Sequence, residues 1–567
     1  MHLWPPRWLG NRLARGALTL PRWGDPAAAG SKARDAADCL DPGRGQGSPT
    51  NAGQRRVAAL LLFSAWLATV VFLAVHHAVW RDEVRALRQA LNGDNLPAML
   101  MGIRREGAPA LWYLLLRGAH ALVARPEILP IVALAVAAAA MLVLVLCSPF
   151  ELPLIALLLF GRFCVFEYSV MARNYGISML LLFILAAVYR RHRDRGFLLG
   201  SLLLLLANTN VHSAILTLAF VLFWFIDTGV RDAGVQRGWA LKVFLPNFML
   251  AAAGIALCRL TTFATFYEVQ ALYPHGALLT ALFRDIAFPA AQLAAIVPGG
   301  PLVGSLILFG STLGLIRRPA ALVAALAALL GFSLLFGQVY PGDYRHAALW
   351  LVFLVVMYWL AGSETSVAAR ASSGTAAGVK PMVARIGTYV FLLIVTLQVP
   401  AGISAVTNAA SGGPPFSRSR DLSLLIAAHR ELHAATIIAD PDYLVEPLHY
   451  YLTNPTYLVR EQRFGDAVTF TRKSRVDISL GDVTQTARNL NRSTHQPVVI
   501  LLMQRLAGAA APHVYKESYY WTFATTPEQE RMFRSSTTRI ARFGPAQSDE
   551  SFDVYVFDRR ASARTGR

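Results

Sequence analysis

Charge is scarce in this chain of 567 residues: only 15% are charged while 55% are hydrophobic, against roughly 25% and 45–50% in soluble globular proteins. That shortage, with a mean hydropathy of +0.44, excludes a string of three or four soluble domains and places most of the chain in lipid. Cysteine is scarcer still. Cys39, Cys147, Cys164 and Cys258 lie in a basic leader and in apolar runs, with no Cys-x-x-Cys spacing, which argues against a disulfide framework or a zinc knuckle. Repeats of 20–50 residues are absent too. What is in excess is positive charge: 53 Lys+Arg against 34 Asp+Glu give a net +19. Such an excess fits nucleic acid, anionic lipid or cytoplasmic loops between membrane spans, and the last needs no partner.

Residues 1–56 are rich in Arg, Gly, Pro and Ala and lack the apolar core and small-residue cleavage site of a signal peptide. They read as a disordered, basic, cytoplasmic leader. By the positive-inside rule the first apolar segment, 57–79, then runs outward and leaves 80–107 as an external loop. Further apolar windows fall at 109–124, 128–147, 151–168, 175–189, 196–207, 211–226, 241–260, 301–316, 319–339, 347–361 and 386–399, for about 11–13 membrane segments in all. Basic turns at 190–195, 231–242, 317–318 and 370–385 mark the cytoplasmic side, which puts 167–175, 208–212, 261–300, 340–346 and the tail outside. The crossings balance only if one segment between 107 and 167, read here as 109–124 with Arg117 and His120 inside it, is a half-span or re-entrant. The stretch 261–300, with Arg284-Asp285 amid apolar residues, reads as an amphipathic loop with a membrane-surface helix.

The composition changes at a Gly/Pro/Ser linker, so the domains read as a leader 1–56, a transmembrane domain 57–408, a linker 409–417 and a tail 418–567. In the tail, apolar strands at 436–439, 456–459, 497–503 and 552–557 alternate with helix-like stretches at 421–433 and 443–452. That order predicts a small extracytoplasmic α/β domain with a mainly parallel sheet. The expected fold class is therefore a polytopic α-helical membrane protein carrying a small α/β domain.

Candidate chemistry concentrates in the loops read as external. Trp80-Arg81-Asp82-Glu83 stands where the first helix leaves the membrane, so its two carboxylates must be solvated or engaged; alone, the tetrad also fits an interfacial Trp anchor with headgroup-level charges. Glu106-Gly107-Ala108-Pro109 opens the next apolar segment ahead of Trp112-Tyr113. Arg173, between Tyr168 and Tyr175, can pair with phosphate through its planar fork or simply anchor a helix end. Arg345 and His346 lie in a second basic-aromatic turn, 340–346. His212 is a candidate substrate contact or a hydrogen-bonded core histidine. His76 and His77 are adjacent, point about 100° apart on a helix and make a poor metal pair.

Taken together, Asp82-Glu83, Glu106-Gly107-x-Pro109 and Ala172-Arg173-Asn174-Tyr175 resemble the GT-C superfamily of integral membrane glycosyltransferases, in particular the bacterial relatives of protein O-mannosyltransferases and lipid A aminoarabinose transferases. The resemblance covers 57–399 and is densest over 80–175. It departs from the family pattern at Ala108, where the family has histidine, and at Ala110, where it has a second proline. It implies an inverting glycosyltransferase, transferring a hexosyl or pentosyl group from a polyprenyl-phosphate donor at the outer face of a bacterial-type inner membrane to an envelope glycan, lipid or protein. It also implies Asp82 as the base with Glu83 as the alternative, Glu106 as a group positioning acceptor or metal, and Arg173, Tyr175, Arg345 and His346 around the donor phosphate. The cofactor stays open, with a divalent metal an option; the tail has no Gly-x-Gly-x-x-Gly or phosphate-binding loop for a nucleotide. Expected partners are the lipid-linked donor, membrane lipids and the acceptor, with no nucleic acid. A transporter or lipid flippase is the rival reading, and a non-catalytic envelope assembly protein a third.

Overall fold

A computed structural model describes residues 49–231, 237–262, 278–368, 379–469, 474–506, 508, 511–517 and 521–557. Most of the basic leader lies outside the described residues, as do parts of the turns 231–242 and 370–385 and of the loop 261–300.

Apolar sequence dictates helices first. Among the described residues, seven are long and apolar enough to cross a membrane. In chain order the helices begin with α1 (Pro49–His76), α2 (Arg81–Leu91), α3 (Leu96–Gly102), α4 (Ala110–Leu122), α5 (Ile128–Cys147), α6 (Leu152–Phe160) and α7 (Tyr175–His192). They continue with α8 (Leu198–Ala207), α9 (Val211–Arg231), α10 (Leu245–Thr262), α11 (Leu278–Ala287), α12 (Gly300–Thr312), α13 (Pro319–Gln338), α14 (Tyr344–Ala368), α15 (Val379–Leu397) and α16 (Val399–Ala410).

Burial separates them by role. In α14, Ala347 to Met357 are each at most 1% exposed, so this helix, apolar all round, is encircled by the others. Close approach is made by glycine where it is needed: a Cβ on Gly254 of α10 would stand 2.7 Å from the Leu204 backbone of α8, so only hydrogen lets these two helices touch there.

The difficulty between 107 and 167 has a structural counterpart. The 13 residues of α4 reach about 20 Å at 1.5 Å per residue, short of a hydrocarbon core of about 30 Å. The nine residues of α6 are shorter still, and the chain turns at Gly161 into a π-helical stretch, Phe163–Glu167. Two of the three segments are thus short, rather than one. The last apolar segment is longer than expected, because α15 runs on through Gln398 into α16 as far as Ala410. Within 261–300, α11 is amphipathic as expected: Asp285 is fully buried while Phe283 is 73% exposed.

The tail begins with α17 (Ser419–Ala428) and builds two sheets. Strands β1 (Thr436–Asp440), β2 (Thr456–Leu458), β3 (Arg463–Phe464), β5 (Val498–Leu502), β8 (Thr537–Phe543) and β9 (Phe552–Phe557) form one sheet in the order β3-β2-β1-β5-β9-β8. Strands β4 (Asp477–Ser479), β6 (His513–Lys516) and β7 (Thr522–Thr525) form the other, with helices α18 (Leu480–Thr494) and α19 (Pro527–Ser536).

All five residues of β1 are buried, paired in parallel with β2 and β5. The expectation of a mainly parallel sheet needs correction: β3, β9 and β8 are all antiparallel to their neighbours. For the pairs β2–β3 and β8–β9 the reason is connection length. The turn from β8 to β9 is too short for the crossover that a parallel pair requires, so a hairpin is the available solution. The stretch expected as a helix at 443–452 is a run of 3-10 turns, Asp442–Tyr450, interrupted by Pro447, which can neither donate a backbone hydrogen bond nor sit well inside an α-helix.

Candidate functional site

α2 is short and amphipathic, and everything around the site hangs from its first turn. Glu83 is the third helical residue. One of its oxygens accepts the backbone N–H of Trp80 at 3.1 Å and lies 2.8 Å from Nε2 of His77, and the other accepts the backbone N–H of Ala172 at 2.6 Å. With 1% exposure, Glu83 fastens the end of α1, the start of α2 and the loop before α7 to one another. Both its oxygens are occupied, and His77 is thereby spent on Glu83.

Asp82, one residue earlier, points elsewhere because neighbours on a helix diverge by about 100°. Its side chain is 25% exposed, with Arg345 at 3.7 Å, Arg173 at 3.8 Å and Arg81 at 3.9 Å from its oxygens. Burial pushes its carboxyl up, but Arg173, then Arg345, Arg81 and Arg85 outweigh that and hold it below the usual carboxylate range. Asp82 is therefore ionised at neutral pH. The cations stand off rather than chelate it, at 3.7–3.9 Å, which is ion pairing without a direct hydrogen bond.

The arginines are themselves held. Nη1 of Arg173 donates to the carbonyl of Asp82 at 2.5 Å. Arg345 lies 4.8 Å over the ring of Trp80, and its carbonyl accepts the Tyr168 hydroxyl at 2.7 Å. Arg81 grips Asp549 in the tail through two hydrogen bonds of 2.5 and 3.1 Å and stacks 4.2 Å over Tyr443. Arg85 makes a fork on Glu106, 2.5 and 2.9 Å, and reaches Glu446 at 2.5 Å; Arg88 pairs with Asp466. Residues 81, 85 and 88 recur at helical spacing, so one face of α2 is a row of arginines docked on tail carboxylates.

A polar cleft of about 350 Å³ opens beside this cluster, lined on the helical side by Trp80, Arg81, Arg162, Glu167, Asp343 and Arg345 and beyond them by Phe416 and Asp549, whereas Asp82 and Arg173 are not among its lining residues. No protein family, curated protein or solved structure matches this chain.

The remaining sequence candidates divide between cleft and support. Glu106 gives both oxygens to Arg85 and Gln89, so it holds α2 and does not face the cleft. Tyr175 is buried, stacked on Tyr168 at 5.9 Å and edge-on to His346 at 5.5 Å. His346 stacks on His212 at 4.8 Å, and Nε2 of His212 is bonded to the Tyr340 hydroxyl. These rings form a floor beneath Arg173 and Arg345. Among the described residues no group of three His, Cys, Asp or Glu is arranged to hold a metal ion.

Sequence reasoning missed Arg81, Arg85, Arg162 and the tail acids Glu446, Asp549 and Glu550. The spacing of 81, 85 and 88 was a usable signal; the acids lie more than 350 residues away in sequence and gave none.

Proposed function

We propose that the chain is an inverting glycosyltransferase of the GT-C type that moves a sugar from a polyprenyl-phosphate carrier to an envelope glycan, lipid or protein. The observation that supports it is one ionised carboxylate, Asp82, flanked at 3.7–3.9 Å by three arginines beside an open polar cleft. Phosphate recognition wants cations and proton abstraction wants a carboxylate; this arrangement supplies both within one shell.

In the proposed step the donor phosphate engages Arg173 and Arg345, with Arg81 on the cleft wall. An acceptor hydroxyl gives its proton to Asp82 as its oxygen bonds to the anomeric carbon. The bond from that carbon to the phosphate oxygen breaks, its electron pair staying on the phosphate, where the guanidinium groups stabilise the charge. A single displacement inverts the anomeric centre. Donor binding also tunes the base: a phosphate partly cancels the positive field that depresses the Asp82 carboxyl, so Asp82 becomes a better proton acceptor when the donor is in place. Glu83 and Glu106 act as positioning residues, and Tyr175, His212 and His346 support the arginines from below.

On this reading the short apolar helices complete a set of about 11–13 membrane segments in a bacterial-type inner membrane, with the leader cytoplasmic and the tail periplasmic. The test is transfer by purified full-length protein from a polyprenyl-phosphate sugar. Formation of an acceptor-linked sugar with inverted configuration is expected. Sugar moved across a vesicle membrane without any new glycosidic bond would favour a transporter instead.

A further inference from the structure

The cleft beside α2 answers a different demand from Asp82. Each arginine on its wall carries a carboxylate from the same wall: Arg81 bonds Asp549 at 2.5 and 3.1 Å, Arg162 bonds Glu167 at 3.0 and 2.8 Å, and Arg345 lies 3.3 Å from Asp343. Three cations thus stand against three acids. A phosphate or an ammonium entering between them would meet its like charge as closely as its opposite, and like-charge juxtaposition is how a binding surface refuses a partner. Such a wall selects for a ligand without net charge.

Paired charges keep hydrogen-bonding capacity, because a carboxylate has more lone pairs, and a guanidinium more N–H groups, than one ion pair uses. Both bonds from Arg162 fall on Oε1 of Glu167, and among the described residues Oε2 accepts none. The Arg345 guanidinium donates no hydrogen bond among the described residues; ion pairs and the Trp80 ring, 4.8 Å away, hold it. The side chains of Asp343 and Asp549 are 64% and 36% exposed. Donors and acceptors therefore alternate at short range along one wall. A hydroxyl donates and accepts at a single oxygen, which this spacing suits, whereas a peptide amide separates its donor from its acceptor. Apolar surface completes the lining: the half-buried ring of Phe416 stands edge-on to Trp80 at 5.2 Å. An aromatic face, negative at its centre, attracts the polarised C–H groups of a sugar ring. The volume of about 350 Å³ is at the small end of the roughly 300–1,000 Å³ of small-molecule sites and admits about one or two such rings.

Arg81 and Arg345 join the cleft to the first site, since they also stand 3.9 and 3.7 Å from the Asp82 carboxylate. A sugar in the cleft borders the proposed base and leaves Arg173, outside the lining, to the donor. We propose that the cleft is an acceptor subsite for an uncharged glycan, its ring against Phe416 and its hydroxyls on the paired charges around it. The acceptor role rests on the glycosyltransferase reading; the affinity for an uncharged glycan does not.

Detergent-solubilised full-length protein is titrated calorimetrically with short neutral gluco-, manno-, galacto- and arabino-oligosaccharides. Galacturonate and glucosamine oligosaccharides are the charged counterparts, and a neutral Ser/Thr-rich peptide is the non-sugar control. Saturable binding of at least one neutral series is expected, about tenfold or more tighter than either charged series and weakened about tenfold by Phe416→Ala. Asp343→Asn, at an exposed position, removes the cleft carboxylate beside Arg345 and is expected to shift the preference severalfold toward galacturonate, which a loss of packing alone would not do. If Phe416→Ala fails to fold, that shift decides. No binding of any neutral series, tighter binding of a charged series or of the peptide, or a preference unmoved by Asp343→Asn would overturn the proposal. So would a Phe416→Ala protein that loses affinity for the polyprenyl-phosphate sugar and keeps it for free oligosaccharide, because the cleft would then hold the donor. Neutral-glycan binding without sugar transfer would support the cleft and count against the transferase reading alone, and transfer to an acceptor whose sugars do not bind the cleft would overturn this inference alone.

Discussion

Arg460 in the tail and Asp82 on α2 are opposite solutions to a charge drawn out of bulk water. Arg460 is a cation among carboxylates: its side chain is 0% exposed, bonded to Asp440 at 2.8 Å and Glu517 at 3.0 Å. It also donates to the carbonyl of Val476 at 2.5 Å and stacks 4.6 Å over Trp521. Asp82 is a carboxylate among cations, but a quarter exposed, with its partners at 3.7–3.9 Å. Direct bonds with no exposure pair a charge and leave no path for a ligand, even though Arg460 Nε, Asp440 Oδ2 and Glu517 Oε1 stay buried without a hydrogen-bond partner. A stand-off at the edge of a cleft leaves charges whose best partner is still to come. Charge density alone would have ranked the two clusters together; contact distance and exposure separate a structural cluster from a candidate site.

The comparison is sharpest under mutation. Removing Arg460 leaves buried carboxylates without their cation, and breaking such a pair costs about 3–5 kcal/mol. Arg460→Met should therefore lower the melting temperature strongly or prevent accumulation of folded protein, as followed by thermal unfolding. Melting close to wild type would mean that the tail cluster is not structural.

A smaller effect is expected at Arg173. If it holds a donor phosphate, Arg173→Lys keeps the charge but loses the fork, and donor affinity should fall about tenfold, roughly 1.4 kcal/mol, with Arg173→Ala worse and the melting temperature unchanged in both. Full donor affinity in Arg173→Lys would mean that the arginine only anchors a helix end, since both side chains can snorkel.

The smallest effect is one of pH. Burial pushes Asp442 up to about 8 against its hydrogen bonds to the backbone of Arg460 and Val459, and raises Glu446 and Glu550 to about 7 despite Arg85 and Arg81. Unfolded carboxyls titrate near 4, so between about pH 8 and 4 the folded state binds more protons than the unfolded one, and stability rises as pH falls. The melting temperature should increase by a few degrees from pH 8.5 to 6. Asp82, held low, adds stability in the opposite sense, lost only as acid takes the pH through its depressed value. A melting temperature that drops steadily from pH 8.5 to 6 would contradict the burial of these tail carboxyls.

The long helices and the four apolar strands could be read from the sequence because each is specified by its own residues. What could not be read depends on neighbours. Strands such as β6 and β8, half polar and without an apolar run, exist only against β7 and β9. The adjacent acids Asp82 and Glu83 look alike in the sequence; which one is buried is settled by His77 and the Ala172 amide, which converge on Glu83. Glu106 reads in the sequence as a functional carboxylate, but Arg85 and Gln89 claim its oxygens. The docking of α2 on Glu446, Asp549 and Glu550 joins residues no local pattern connects.

The central claim is that the exposed acid of the pair does chemistry while the buried one holds the site together. It is tested most directly by measuring transfer from a polyprenyl-phosphate sugar alongside thermal unfolding in Asp82→Asn and Glu83→Gln. The account predicts that Asp82→Asn loses about 10²- to 10⁴-fold in turnover with only a small drop in melting temperature, and that Glu83→Gln unfolds at a much lower temperature. Near-wild-type turnover in Asp82→Asn would contradict it.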